Sequence, residues 1–73
     1  MSVILKDTNF RHKEDGTRMA EILLYSNGLS GLPTSAADID GLLPDDEIAD
    51  GSKALDMNTG DVAMFTAGSW HLW

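Results

Sequence analysis

Residues 51–73, GSKALDMNTGDVAMFTAGSWHLW, contain three short apolar runs (54–57, 62–66 and 70–73) parted by two turn signals, Asn58-Thr59-Gly60-Asp61 and Ala67-Gly68-Ser69. Glycine supplies the positive φ that tight hairpin turns demand, and Asn and Asp side chains bond their own backbone there. The spacing therefore predicts a three-stranded antiparallel meander.

Working back from the meander, residues 32–50 form an acidic connector. Ser35 is placed to cap a short helix or helical turn over residues 36–43, with Asp38 favourable in its first turn. Gly41 and Pro44 limit it to about two turns or reduce it to a turn. Ile39, Leu42, Leu43 and Ile48 are the apolar pins expected to fasten this connector to the sheet. Asn27 to Thr34, NGLSGLPT, reads as a loop.

The N-terminal part, residues 1–31, reads as a hairpin and loop. Val3-Ile4-Leu5 suits a strand, Asp7-Thr8-Asn9 a turn, and residues 11–16 (RHKEDG) a charged loop ending in a hairpin-type Asp-Gly. Residues 17–26 fit either a strand or a helical face, and the flanking turn signals and short length favour the strand. Arg18, Ala20, Ile22 and Leu24 would share one side and Met19, Glu21, Leu23 and Tyr25 the other. Both sides are partly apolar, which suits a strand in mid-sheet or one covered by a partner. The expected fold is thus a single mainly β domain of 73 residues, an N-terminal hairpin plus a C-terminal meander in a small antiparallel sheet, with one short helix or helical turn.

A chain of this length buries only about 60% of its unfolded surface. It has no cysteine, which removes a disulfide framework and a thiolate metal site. Neighbours in an assembly are the favoured source of extra stability. The opening MSVILK has no charged n-region and only three consecutive apolar residues, which implies neither a signal peptide nor a membrane span and points to synthesis in a cytoplasm.

Residues 1–21 balance four acids against four bases, so the whole net charge of −7 lies in residues 22–73, where eight acids face only Lys53. Such a surface repels nucleic-acid backbones and membrane headgroups, so neither is expected as a direct partner. The ordinary reading of these acids is a solvated face. Asp38-x-Asp40-Gly41 echoes the start of a calcium loop, but the third acidic position and the distal glutamate are missing and Pro44 interrupts. No metal or other cofactor is expected. His12 and His71 are too few for a nitrogen-rich zinc site. Ser69, His71 and Asp61 can be grouped by eye as a triad, but there is no nucleophile elbow, and no enzymatic activity is expected.

The pattern G-S-x-A-L-D-x-x-T-G-D-V-x-M-F, a Gly-Ser turn and a closing Trp, preceded by LPTSAADIDGLLPDDEIADGS, resembles small structural proteins of tailed phages and prophages, of the capsid-decorating or tail-accessory type. The resemblance spans residues 32–73 and carries no catalytic residue. It implies a virion component made in a bacterial host, acting through contacts with a major capsid or tail protein or with copies of itself. Tyr25, Phe65, Trp70, Leu72 and Trp73 are the candidate partner-binding residues, because tryptophan in particular is enriched at binding hot spots. The competing reading from the residues is that Trp70 closes the core and Trp73 fills its edge. The alternative function is an acidic mimic of nucleic acid that inhibits a host defence enzyme.

Overall fold

The structure, a computed structural model, describes residues 3–73. Met1 and Ser2 of the opening MSVILK lie outside the described residues. Six strands form one sheet: β1 (Val3–His12), β2 (Arg18–Ser26), β3 (Glu47–Ile48), β4 (Lys53–Asp56), β5 (Val62–Thr66) and β6 (Ser69–Leu72). The spatial order is β1-β2-β4-β5-β6, and β3 pairs with β2 off this path.

The chain is mainly β, and each half is antiparallel as the turn signals predict: β1 with β2, and β4 with β5 with β6. The junction between the halves is parallel. Leu23 to Ser26 of β2 pair in parallel with Lys53 to Asp56 of β4, and Met19 and Ala20 pair in parallel with Glu47 and Ile48 of β3. A parallel pair needs a long crossover connection, and residues 27–46 supply it. β2 consequently lies inside the sheet, as its two partly apolar faces suggest.

Two local expectations are corrected, and the connector takes the shorter of its two expected forms, a helical turn. The Asp7-Thr8-Asn9 turn is not formed: β1 runs on through it to His12, with a register shift between Leu5 and Asp7. A bulge at Lys6 absorbs the irregularity, and the pairing with β2 outweighs the local turn preference of these residues. The charged loop is correspondingly shorter, with a Gly16 N–H to Lys13 carbonyl bond of 3.0 Å in the reversal. In the connector, only Ala36–Asp38 is helical, as a 3-10 turn capped by the Ser35 hydroxyl, which accepts from the Ala37 N–H. Gly41, at φ 103°, is incompatible with a continuing helix.

Along β2, Ala20, Ile22, Leu24 and Ser26 are buried while the alternate residues are half-buried. The connector covers this first face. Leu32 and Ile39 join Ala20, Ile22, Leu24, Ala54 and Ala63 in the core, with Val3, Leu5, Leu29, Leu42, Ile48 and Trp70 packed at its margin. Leu43 is 59% exposed and does not act as a pin. Five of the ten buried apolar residues are alanines, so the connector sits close to the strand backbones and the core is thin.

Polar groups therefore bear much of the fastening. The Arg18 guanidinium donates from Nε to Asp46 Oδ1 (2.8 Å) and from Nη2 to Asp46 Oδ2 (2.6 Å), and the Leu43 N–H donates to the same carboxylate at 2.9 Å. Arg18 also stacks on Phe10, 3.9 Å from the ring centre. Asp46 is thus buried and paired, a correction to the reading of the whole acidic run as solvated. The Arg18 hydrogen bonds hold its carboxyl below the usual aspartate range, overcoming the opposing effect of burial. Where β3 gives way to β4, the buried Ser52 hydroxyl accepts from the Ile22 N–H (3.0 Å) and donates to the Ala49 carbonyl (2.7 Å), bridging the gap in the ladder.

Candidate functional site: an uncovered sheet face

Strand alternation sends the remaining side chains to the second face, which no other element of the described chain covers. Registers across the sheet align Ile4, Tyr25, Leu55 and Val62 in one row. Trp73 extends the row, because its N–H bonds the Val62 carbonyl at 2.9 Å. The next row is Asp7, Leu23, Lys53, Met64 and His71. Leu23, Tyr25, Leu55, Val62 and Met64 are only half-buried, Ile4 is 50% exposed and Trp73 is 73% exposed.

Five strands at the usual spacing make this patch about 20 Å wide, and two rows make it about 15 Å tall, on the order of 300 Å². A patch of that size is at the scale of functional surfaces on small monomers. Two lysines attend the aromatic rings of this face. The Lys6 ammonium lies 5.4 Å from the Tyr25 ring centre, and the Lys53 ammonium 5.2 Å from that of Trp73. Both large rings of the face thus carry a cation, on a face that also holds the acids Asp7, Glu21 and Glu47, whereas the exposed acids Asp38, Asp40, Asp45 and Asp50 belong to the connector and its exit.

The five candidate residues are divided by this geometry. Tyr25 and Trp73 stand on the uncovered face. Phe65, 4% exposed, points to the opposite, covered face and offers no contact surface. Trp70 also faces the core: its ring meets Phe65 edge-on at 5.1 Å, and its indole N–H donates to the Pro33 carbonyl at 2.8 Å. Leu72 shares Trp70's side by alternation but extends past the connector, 74% exposed. The pairing of Phe65 with Trp73 in one patch is therefore corrected, because they lie on opposite sides of the sheet. Ile4, Leu23, Leu55, Val62 and Met64 complete the face; alternation within each strand marks each of them, but only the register between strands brings them together.

The Ser69 hydroxyl and His71 Nε2 are 3.1 Å apart on exposed β6, but the Asp61 carboxylate is engaged by the Thr59 hydroxyl at 3.0 Å, at the other end of the hairpin. The three do not converge. Among the described residues no group of three or more His, Cys, Asp or Glu is arranged to hold a metal ion, and no helix is long and apolar enough to cross a membrane. No family model, curated protein or solved structure matches the chain.

Proposed function

We propose that this protein is a structural subunit of a tailed-phage-like particle, of the capsid-decorating or tail-accessory type, which seats its uncovered sheet face on a larger particle protein. The observation that carries the reading is the apolar row Ile4-Tyr25-Leu55-Val62-Trp73, running across every long strand without a covering layer. Domains ordinarily bury both sides of an apolar layer, and here a partner supplies the second. The particle setting comes from the sequence resemblance over residues 32–73, and the acidic connector then faces solvent and keeps the assembled surface soluble.

The test is incorporation. Particles purified from the source are analysed by mass spectrometry for this chain and its copy number, and reconstitution is repeated with Ile4→Lys and Trp73→Ala. A buried tryptophan contact contributes about 2 kcal/mol, so Trp73→Ala should weaken binding about thirty-fold while circular dichroism stays unchanged. Asp40→Asn on the connector should bind normally. Absence of the chain from particles, or binding insensitive to both face substitutions, refutes the proposal. The nucleic-acid-mimic reading predicts the reverse pattern: loss on neutralising the connector acids and affinity that falls steeply with salt.

A further inference from the structure

The two end strands of the path β1-β2-β4-β5-β6 differ at their outer edges. β1 carries Lys6, Asp7, Arg11 and His12 together with a bulge, devices that discourage strand addition. β6 has no bulge and, in Ser69-Trp70-His71-Leu72-Trp73, no Asp, Glu, Lys or Arg, although the chain as a whole carries −7. Its inner hydrogen bonds can be placed from the Trp73 N–H bonded to the Val62 carbonyl. By antiparallel alternation, Trp73, His71 and Ser69 bond to β5, so the N–H and carbonyl groups of Trp70 and Leu72 point outward.

We propose that β6 pairs antiparallel with β6 of a second copy about a two-fold axis at His71. The second copy is the occupant this edge fits best because the segment is complementary to itself. In that register Trp70 of each copy faces Leu72 of the other and exchanges both backbone hydrogen bonds with it, so all four outward groups on each strand are satisfied. The same pairing brings Trp70 against the other copy's Leu72 on the connector side, and Trp73 against the other copy's Ser69 on the uncovered side. It thereby covers the two most exposed large apolar residues among the described residues, Leu72 at 74% and Trp73 at 73%. The absence of acidic side chains on the strand lets two strongly negative molecules approach here with least repulsion. This inference stands independently of the particle reading.

The register makes His71 its own partner, at a non-hydrogen-bonded position where Cα atoms lie about 4.5 Å apart, within disulfide range. With no native cysteine, His71→Cys provides a single thiol on an exposed strand. Under mild oxidation it should form a covalent dimer, on the order of tenfold or more faster than Asp40→Cys on the exposed connector, since pairing holds the thiols together. Adding Leu72→Lys should slow His71→Cys to the control rate, and sedimentation of the unmodified chain should show a mass doubling with concentration that Leu72→Lys abolishes. Equal crosslinking rates for the two thiols, crosslinking insensitive to Leu72→Lys, or a self-association that survives Leu72→Lys would each overturn the proposal.

Discussion

Ser52→Ala isolates one hydroxyl that does the work of a missing strand. Ser52 is fully buried, and its oxygen accepts from the Ile22 N–H in the middle of β2 while donating to the Ala49 carbonyl. Alanine leaves the Ile22 N–H buried without an acceptor, a cost of about 1–3 kcal/mol. The Ala49 carbonyl still receives the Ser52 backbone N–H at 3.3 Å, so the second loss is smaller. A total of about 2–3 kcal/mol follows, a large share of the 4–11 kcal/mol ordinary for a chain of this size. The melting temperature should fall by about 10–20 °C. Urea unfolding should show a lower midpoint at an unchanged slope, because the surface exposed on unfolding is the same. Native-state hydrogen exchange checks the cause: the Ile22 amide should lose protection beyond what the global destabilisation predicts. A loss under about 0.5 kcal/mol, or an Ile22 amide as protected as before relative to its neighbours, would show that another group satisfies the N–H and refute the reasoning.

Ala67 adopts φ 52° and Gly68 φ 83° in the two-residue turn between β5 and β6, so Ala67 carries the strain of a left-handed Cβ. Ala67→Asn should raise stability by about 1 kcal/mol, read as a higher urea midpoint; a decrease would refute the turn assignment. Asp15, Asp46 and Asp56 are each held below the ordinary aspartate value of 3.8, chiefly by the Thr17 N–H, the Arg18 guanidinium and the Asn58 N–H respectively. Their folded values lie below their unfolded ones, so the stability they contribute is present above about pH 4 and is lost as pH falls through the depressed folded values. A thermal series from pH 7 to pH 2 should be level down to about pH 4 and then decline, and Asp46→Asn should lower the plateau while making the acid decline shallower.

The two hairpins were legible because their signals are local. Gly60 and Gly68, both at positive φ, mark the turns on either side of β5, and the alternation of β2 survives in its burial pattern. The parallel junction was not legible, because nothing within residues 18–26 or 53–56 distinguishes a parallel from an antiparallel neighbour. That one fact decides the site. It places Tyr25 beside Leu55 and Leu23 beside Lys53, and so assembles the uncovered rows from strands far apart in sequence. Phe65 and Trp73 were grouped by aromatic character, yet the register of β5 with β6 sends them to opposite faces. Asp46 was likewise indistinguishable from Asp45 in the acidic run, and only the fold brings Arg18 to it across 28 positions.

The uncovered face and the β6 edge also reinforce one another geometrically. A two-fold axis at an antiparallel strand pair stands perpendicular to the sheet, so pairing through β6 keeps both uncovered faces on the same side. Trp73, at the margin of one patch, then packs beside the other copy's Ser69 at the seam, while the row of Leu23, Lys53, Met64 and His71 continues across the axis into its copy, so the two apolar rows lie on one surface, offset from each other along the strands. A dimer so formed presents two equivalent patches in one plane, and a repeating particle surface that engages the first holds the second at high effective concentration. An individual patch of roughly 300 Å² is small beside the 800 Å² per partner of a standard interface, so single-site binding should be weak. The doubled face offers a physical route from weak single contacts to stable occupancy, and it predicts that Leu72→Lys, which touches only the edge, lowers retention on particles more than it lowers the affinity of one isolated face.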